Sequence, residues 1–250
     1  MKTLAVIPAR LGATRLPRKP LRLLAGLPLV VRVWQRVVEL GATHACVVAT
    51  DSDQVLDVLK QHGAHAVLTR DDHPSGTDRV AEVAARPEFA SFDVLVNVQG
   101  DEPFLSRSAL CGALERIEQG FGLATAAARA GSDILADPNV VKVVTADDGS
   151  ALYFSRAPIP YLREQRDATL RDDRTLQHVG LYAYQRQALQ RWVALPTHPL
   201  ELIERLEQLR PLAAGMRMGV AIMDEPPRRG IDTEADLDAA NREWTETTTG

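Results

Sequence analysis

Leu4-Ala-Val-Ile-Pro-Ala-Arg-Leu-Gly-Ala-Thr-Arg-Leu-Pro-Arg-Lys-Pro20 begins as a short apolar run and turns at once into a loop crowded with cations. Leu4 to Ile7 reads as a buried strand closed by Pro8. Val30, Val33, Trp34, Val37 and Leu40 then recur at helical spacing and stop at Gly41, a C-terminal helix signal. Cys46 to Thr50 is the next strand, Asp53 to His62 the next helix, and Gly63 its stop. Ala66–Thr69 with Thr77–Ala85, then Val94–Val98 with about Arg107–Gln119, repeat the unit. Strands alternating with helices predict an α/β fold with a mostly parallel central sheet and helices on both faces.

The second half is less regular. Val140–Thr145 and Ala151–Phe154 read as a hairpin around Asp147-Asp-Gly149, and Val179–Tyr184 and Val220–Met223 as strands. Leu200, Ile203, Leu206, Leu209 and Leu212 mark an amphipathic helix, and Thr233 caps a terminal one. Glu164–Thr175 is charged and almost free of apolar residues, which predicts an exposed loop. No linker or repeat divides the chain, so a single domain over residues 1–250 is expected, its second half folded onto the edge of the first.

The net charge of −4 gives the chain as a whole no reason to bind nucleic acid or an anionic membrane. An anion must instead be held by a local cluster of cations. No apolar run reaches the ~18 residues that a membrane helix needs, and the first residues lack the pattern of a signal peptide. Cys46 and Cys111, in apolar surroundings, read as buried thiols of a reducing compartment, so the cytoplasm is the expected location.

In a parallel sheet the loops after the strands gather on one edge, where ligands bind. Three unusual loops fall there. The first carries Arg10, Arg15, Arg18 and Lys19 around Gly12. It is neither a GxxxxGK[ST] loop nor a GxGxxG fingerprint, so phosphate recognition would come from side-chain cations and nearby backbone N–H groups. The second, Asn97-Val-Gln-Gly-Asp-Glu-Pro103, sets Asp101 just past a buried strand, after a glycine that permits close backbone approach. Asp101 there either holds Mg²⁺ against phosphate oxygens or caps a turn. The third, Gly230-Ile-Asp-Thr233, offers Asp232 as a helix N-cap or as a second metal carboxylate. Asp51 and Ser75-Gly-Thr-Asp-Arg79 follow further strands, with Asp78 and Arg79 equally readable as ordinary first-turn residues.

Taken together, these stretches resemble the 3-deoxy-manno-octulosonate (Kdo) cytidylyltransferase family, the CMP-Kdo synthetases of lipopolysaccharide synthesis. The resemblance spans about residues 4 to 242. It is carried by Ile7-Pro-Ala-Arg10, Thr14-Arg-Leu-Pro17, Lys19-Pro-Leu21, Val48-Ala-Thr-Asp51, Ser75-Gly-Thr77 and Asn97–Pro103. It continues through Asn139-Val-Val-Lys142, Ala151–Arg156, His178-Val-Gly-Leu-Tyr182, Leu206–Arg210 and Gly230–Thr233. It implies a Rossmann-like nucleotidyltransferase fold and the reaction of CTP with Kdo to CMP-Kdo and pyrophosphate. It further implies that Arg10 and Lys19, with Arg15 nearby, hold the triphosphate. Pro8, Ala9, Asp51, Ser75, Gly76 and Arg79 would meet cytosine and ribose. Gln99, placed with both substrates, would line the sugar pocket with Arg156, His178, Tyr182 and Glu207, Arg156 facing the sugar carboxylate. Arg10, Lys19, Asp101 and Asp232 would carry the chemistry, with Mg²⁺ on Asp101 and Asp232. A homodimer is implied, built largely through the second half, about residues 125–225.

Two positions depart from the family pattern: Arg18 stands where glycine is usual, and Asp78 where glutamate is common. Related activities, toward 8-amino-Kdo or a sialic acid, are the nearest alternatives. A non-catalytic nucleotide-binding module is the alternative from another class, and it would need neither Asp101 nor Asp232.

Overall fold

A computed structural model of the chain describes residues 1–12 and 15–248. Thr14 of the first loop and the end of the C-terminal tail lie outside the described residues. The chain divides into two compact units, one of Met1–Leu105 with the segment from Arg228 onward, the other of Ser106–Pro227.

The first unit runs β1 (Thr3–Ala9), a small hairpin of β2 (Leu23–Leu24) and β3 (Leu27–Pro28), α1 (Leu29–Leu40), β4 (Ala45–Thr50), α2 (Asp53–Gln61), β5 (Ala66–Leu68), α3 (Gly76–Ala85) and β6 (Val94–Asn97). Its strands pair in parallel in the order β6-β1-β4-β5. Leu4, Val6, Ile7, Val94, Leu95 and Val96 are fully buried, as strands covered on both faces require. Gly41 ends α1 in the left-handed conformation, φ 59, which explains why a glycine stops that helix. From β1 the chain steps outward to β4 and β5, then returns past β1 to β6. Right-handed crossovers therefore place α1 and α2 on one face and α3 on the other. The step reverses at β1 and β6, and ligands bind at such a reversal, outside the carboxyl ends of the strands.

Two local devices shape that edge. A Cβ on Gly100 would lie 2.7 Å from the Pro8 carbonyl oxygen, so only glycine lets the loop after β6 pass this close to the end of β1. Glu82 of α3 clamps the stretch before Ser75: its carboxylate accepts from the Arg70 N–H at 3.0 Å, from His73 at 2.5 Å and from Arg86 at 2.9 Å.

The second unit holds α4 (Arg107–Glu118), β7 (Leu123–Arg129), β8 (Lys142–Thr145), β9 (Ala151–Ser155), α5 (Ala168–Asp173), β10 (Leu176–Gln185), α6 (Arg186–Ala194), α7 (Pro199–Glu204), α8 (Leu209–Ala213) and β11 (Met218–Met223). β7 lies between β11, which it meets in parallel, and β10, which it meets antiparallel. The expected hairpin is present as β8–β9, turning near Gly149 at φ 78. β7 itself has no counterpart in the sequence reading, because Leu-Ala-Thr-Ala-Ala-Ala-Arg favours a helix locally and is a strand only through its two buried neighbours. The charged stretch 164–175 contains the short helix α5 rather than a plain loop. The single amphipathic helix expected from Leu200 to Leu212 is broken in two, since Arg205 adopts φ 55 at the end of α7. The last element, α9 (Glu234–Thr248), belongs to the first unit. Cys46 and Cys111 are free and only part-buried, and burial pushes the Cys46 thiol up to about 12.

Gly100→Ala should destabilise the protein by about 1–3 kcal/mol, the usual range for overpacking a tight site, measured by urea denaturation. A second expectation concerns acid. Burial alone would raise the Glu82 carboxyl, but hydrogen bonds from His73, the Arg70 N–H and Arg86 outweigh it and hold it at about 2. A carboxyl so depressed stabilises the fold above its ordinary value of 4.5, and that stability fades as pH falls toward 2. Glu82→Gln should remove this segment of the stability–pH curve, and superimposable slopes for the two proteins would discount the clamp.

Candidate active site

At the reversal between β1 and β6 lies a cleft of about 340 Å³ lined by Pro8, Ala9, Arg10, Gly12, Arg15, Leu16, Lys19, Pro20, Gln99, Gly100, Asp101 and Asp232. The first loop reaches it because apolar and cationic residues alternate along it. Leu16 and Pro20 are buried as anchors, while Arg10 and Arg15 stay exposed. Lys19 opens a single turn of 3₁₀ helix and points its ammonium at two carboxylates, Asp101 at 2.5 Å and Asp232 at 2.8 Å. Arg15 donates to the other oxygen of Asp232 at 2.9 Å. Burial would lower the Lys19 ammonium, yet Asp101 and Asp232 prevail and hold it above its ordinary value. Among the described residues Arg10 has no ion-pair partner, which leaves it open to an incoming anion.

Asp232 is brought here by the backbone that precedes α9. The Ile231 N–H donates to the Asp101 carbonyl at 2.9 Å, and a Cβ on Gly230 would crowd Glu102 at 3.0 Å. Arg22 grips Glu234 with both terminal guanidinium nitrogens, tying the first loop to the same segment. The choice left open for Asp232 is resolved by its neighbour. Thr233 exchanges hydrogen bonds with Asp236 across the first turn, so Thr233 caps α9 and Asp232 is spared for the cleft.

Two carboxylates converging on one ammonium form a set of hard oxygen donors suited to Mg²⁺, which prefers one or two carboxylates and takes its other ligands from phosphate and water. Among the described residues no group of three His, Cys, Asp or Glu gathers as a fuller metal cage. Glu102 does not join them as a third full charge: burial, then Asp101 and Asp232, push its carboxyl up to about 8.

Arg18 adopts φ 56 and ψ 32, a left-handed conformation that costs a non-glycine residue about 1–2 kcal/mol. That is the physical reason a glycine suits the position, and Arg18 keeps the turn in spite of it.

The residues expected around the base are arranged differently from a simple lining. Arg79 is buried, donating to Asp51 at 2.8 Å and to the Thr69 hydroxyl. It therefore fixes Asp51 from behind, and its guanidinium is already occupied. Ser75 caps α3, its hydroxyl accepting from the Asp78 N–H and donating to the Asp78 carboxylate at 2.6 Å. Asp78 thus serves the cap, which its shorter side chain reaches. Gly76 lies against Pro8, whose ring carbon is 3.5 Å from where a Cβ would stand.

In the second unit, His178 and Tyr182 of β10 have ring centroids 5.5 Å apart, and Phe154 and His178 meet edge to face with centroids 5.0 Å apart. Burial, with Glu207 and Tyr184 adding, raises the Tyr182 phenol well above its ordinary value. Burial lowers His178 to about 3, so the imidazole is neutral at physiological pH and a poor general base. Arg156, just past β9, donates to the Glu204 and Pro138 carbonyls, each at 2.9 Å, which leaves further guanidinium N–H groups for a ligand. Its own carbonyl accepts at 2.6 Å from Lys142, a fully buried lysine whose ammonium also serves the Asp137 and Val140 carbonyls. Sequence reasoning had assigned no part to Lys142, Glu204 or Thr125. Only Lys142 carried a signal, as a lone cation beside two valines in an otherwise strand-like run.

A family model described as Cytidylyltransferase matches residues 4–218. A 3-deoxy-manno-octulosonate cytidylyltransferase of Gemmatimonas aurantiaca is 63% identical over 245 residues, covering 98% of this chain and 95% of its own. One from Rhodopseudomonas palustris is 45% identical over 249 residues, covering 96% and 97%. Among solved structures, a CMP:2-keto-3-deoxy-manno-octonic acid synthetase complexed with CTP superposes with a TM-score of 0.90 at 36% identity, covering 99% of this chain and 100% of that one. The α/β nucleotidyltransferase fold read from the sequence is therefore the fold of this protein, and the chain belongs to the 3-deoxy-manno-octulosonate cytidylyltransferase family.

Proposed function

We propose that this protein transfers the cytidylyl group of CTP to 3-deoxy-manno-octulosonate, giving CMP-Kdo and pyrophosphate. The observation that carries the reading is the cleft in which Lys19 joins Asp101 and Asp232, in a chain 63% identical to an enzyme named for that reaction. A sugar hydroxyl attacks the α-phosphorus in line and the bond to pyrophosphate breaks, so catalysis is chiefly positioning and charge stabilisation. Arg10, Arg15 and Lys19 hold the triphosphate, and Lys19 and Arg10 offset the charge that builds on the departing pyrophosphate. Gly76, Pro8, Ala9 and Asp51 meet the nucleoside, with Ser75 and Arg79 holding their surroundings in shape and Gln99 reaching toward the substrates from the loop after β6. Arg156 receives the sugar carboxylate, while His178, Tyr182 and Glu207 receive its hydroxyl groups. Asp101 and Asp232 would hold Mg²⁺, which supplies Lewis-acid stabilisation of phosphate oxygens.

The product's use in lipopolysaccharide synthesis, a cytoplasmic setting and a homodimer complete the proposal. No helix among the described residues is long and apolar enough to cross a membrane. Exposed Leu152, Tyr161, Leu170 and Ile222 in the second unit supply apolar surface for pairing. Gel filtration with light scattering tests the dimer.

Asp101→Ala should lower kcat by about a hundredfold or more, as loss of a charge-stabilising group does, with the circular dichroism spectrum retained. Near-normal turnover would remove Asp101 from the chemistry. Pyrophosphate release measured with CTP or UTP, and with Kdo, 8-amino-Kdo or neuraminic acid, separates the proposed activity from its neighbours. Absence of pyrophosphate release with every acceptor sugar in that panel would point to a binding module.

A further inference from the structure

The pairing of β10 with β7 slips between Val179 and Tyr182, so that Gly180 and Leu181 have no opposite residues in the ladder. The carbonyls turned inward at such a bulge need donors from elsewhere. Thr125, fully buried on β7, sits beneath it. Its hydroxyl lies 2.6 Å from the Leu181 carbonyl oxygen, 3.3 Å from that of Val179 and 2.9 Å from His178 Nε2.

A threonine hydroxyl has one proton. At 2.6 Å the Leu181 carbonyl must be receiving it, because two oxygens without a proton between them would repel at that distance. Only lone pairs of Oγ1 then face His178, so Nε2 carries the ring's proton and donates it. The neutral ring has its remaining lone pair on Nδ1, and among the described residues Nδ1 has no hydrogen-bond partner. His178 keeps part of its surface exposed.

We infer that Thr125 is a positioning residue that fixes His178 as the Nε2–H tautomer, so that Nδ1 is presented as a hydrogen-bond acceptor to a hydroxyl group of the acceptor sugar. The inference rests on the proposed place of His178 in sugar binding. It adds a chemical restriction: Nδ1 takes a hydroxyl and rejects a carboxylate, which has no proton to give. The carboxylate of the sugar acid is thereby left to a cation. The low value of His178 supports this, since the ring stays neutral throughout the physiological range.

The test combines a spectroscopic and a kinetic reading on the full-length enzyme. In ¹⁵N-labelled protein near neutral pH, the His178 ring signals are assigned by their absence in His178→Gln. Nε2 is expected to show the shift of a protonated nitrogen and Nδ1 that of an unprotonated one. Thr125→Val, close in shape, should lose this pattern and raise KM for Kdo about three- to tenfold, the worth of one hydrogen bond, with KM for CTP unchanged. Thr125→Ser should restore both, which covers the case that the valine variant folds poorly. A wild-type ring protonated on Nδ1, or on both nitrogens, would overturn the inference. An unaltered KM for Kdo in His178→Gln would instead overturn the sugar-binding reading beneath it, and the tautomer pattern would tell the two failures apart.

Discussion

The Lys19 ammonium stands between two carboxylates that lie 82 and 213 residues away in sequence, and the first unit's architecture can be read as the means of holding them there. Two unit charges of like sign 4 Å apart repel by about 4 kcal/mol at the effective dielectric of a protein surface, so a cleft with Asp101 and Asp232 side by side needs a cation. Lys19 is that cation. Gly100 lets the loop bearing Asp101 close on β1, the Ile231 N–H binds the Asp101 carbonyl, and the grip of Arg22 on Glu234 keeps the segment bearing Asp232 against the first loop. Each of these contacts narrows the same gap.

This arrangement also suits exchange. In the proposed reaction a triphosphate would offer Lys19 and Arg15 new anionic partners, and the acids they release would then need a new positive charge. On the proposed reading, a substrate that brings its own divalent counter-ion would meet both needs together. Glu102, its carboxyl raised to about 8 chiefly by burial, keeps a third negative charge from spoiling the balance at neutral pH.

Much of this was legible in the sequence because the informative residues are local to strand ends. Arg10 and Asp101 each follow a buried strand, and a parallel sheet must bring those ends together, with Lys19 further along the loop after β1. Asp232 was not decidable alone, since an aspartate before a helix is an ordinary cap. Only the reciprocal bonds of Thr233 and Asp236 free it. The pairing of Arg79 with Asp51 was hidden because it depends on how α3 packs against β4, a matter of tertiary placement that no spacing encodes. β7 was hidden for a related reason: three successive alanines say little about a strand whose case rests on the partners at its sides. The break at Arg205 was masked by a leucine pattern that kept helical spacing across a left-handed residue.

The polar groups of the two units are held by opposite physical means. In the first, Lys19 and Arg15 are held by ion pairs to side chains, contacts that a stronger anion can replace. In the second, the polar groups are satisfied by the backbone: Lys142 by three carbonyls, Arg156 by two, His178 through a threonine bound to the Leu181 carbonyl. Backbone partners do not leave when a substrate arrives. On the proposed reading, the groups assigned to the sugar would therefore be preorganised and keep only their outward donors and lone pairs for recognition, while those assigned to phosphate would be poised to change partners. A charged, mobile triphosphate calls for the second property, and discrimination among neutral hydroxyl groups calls for the first.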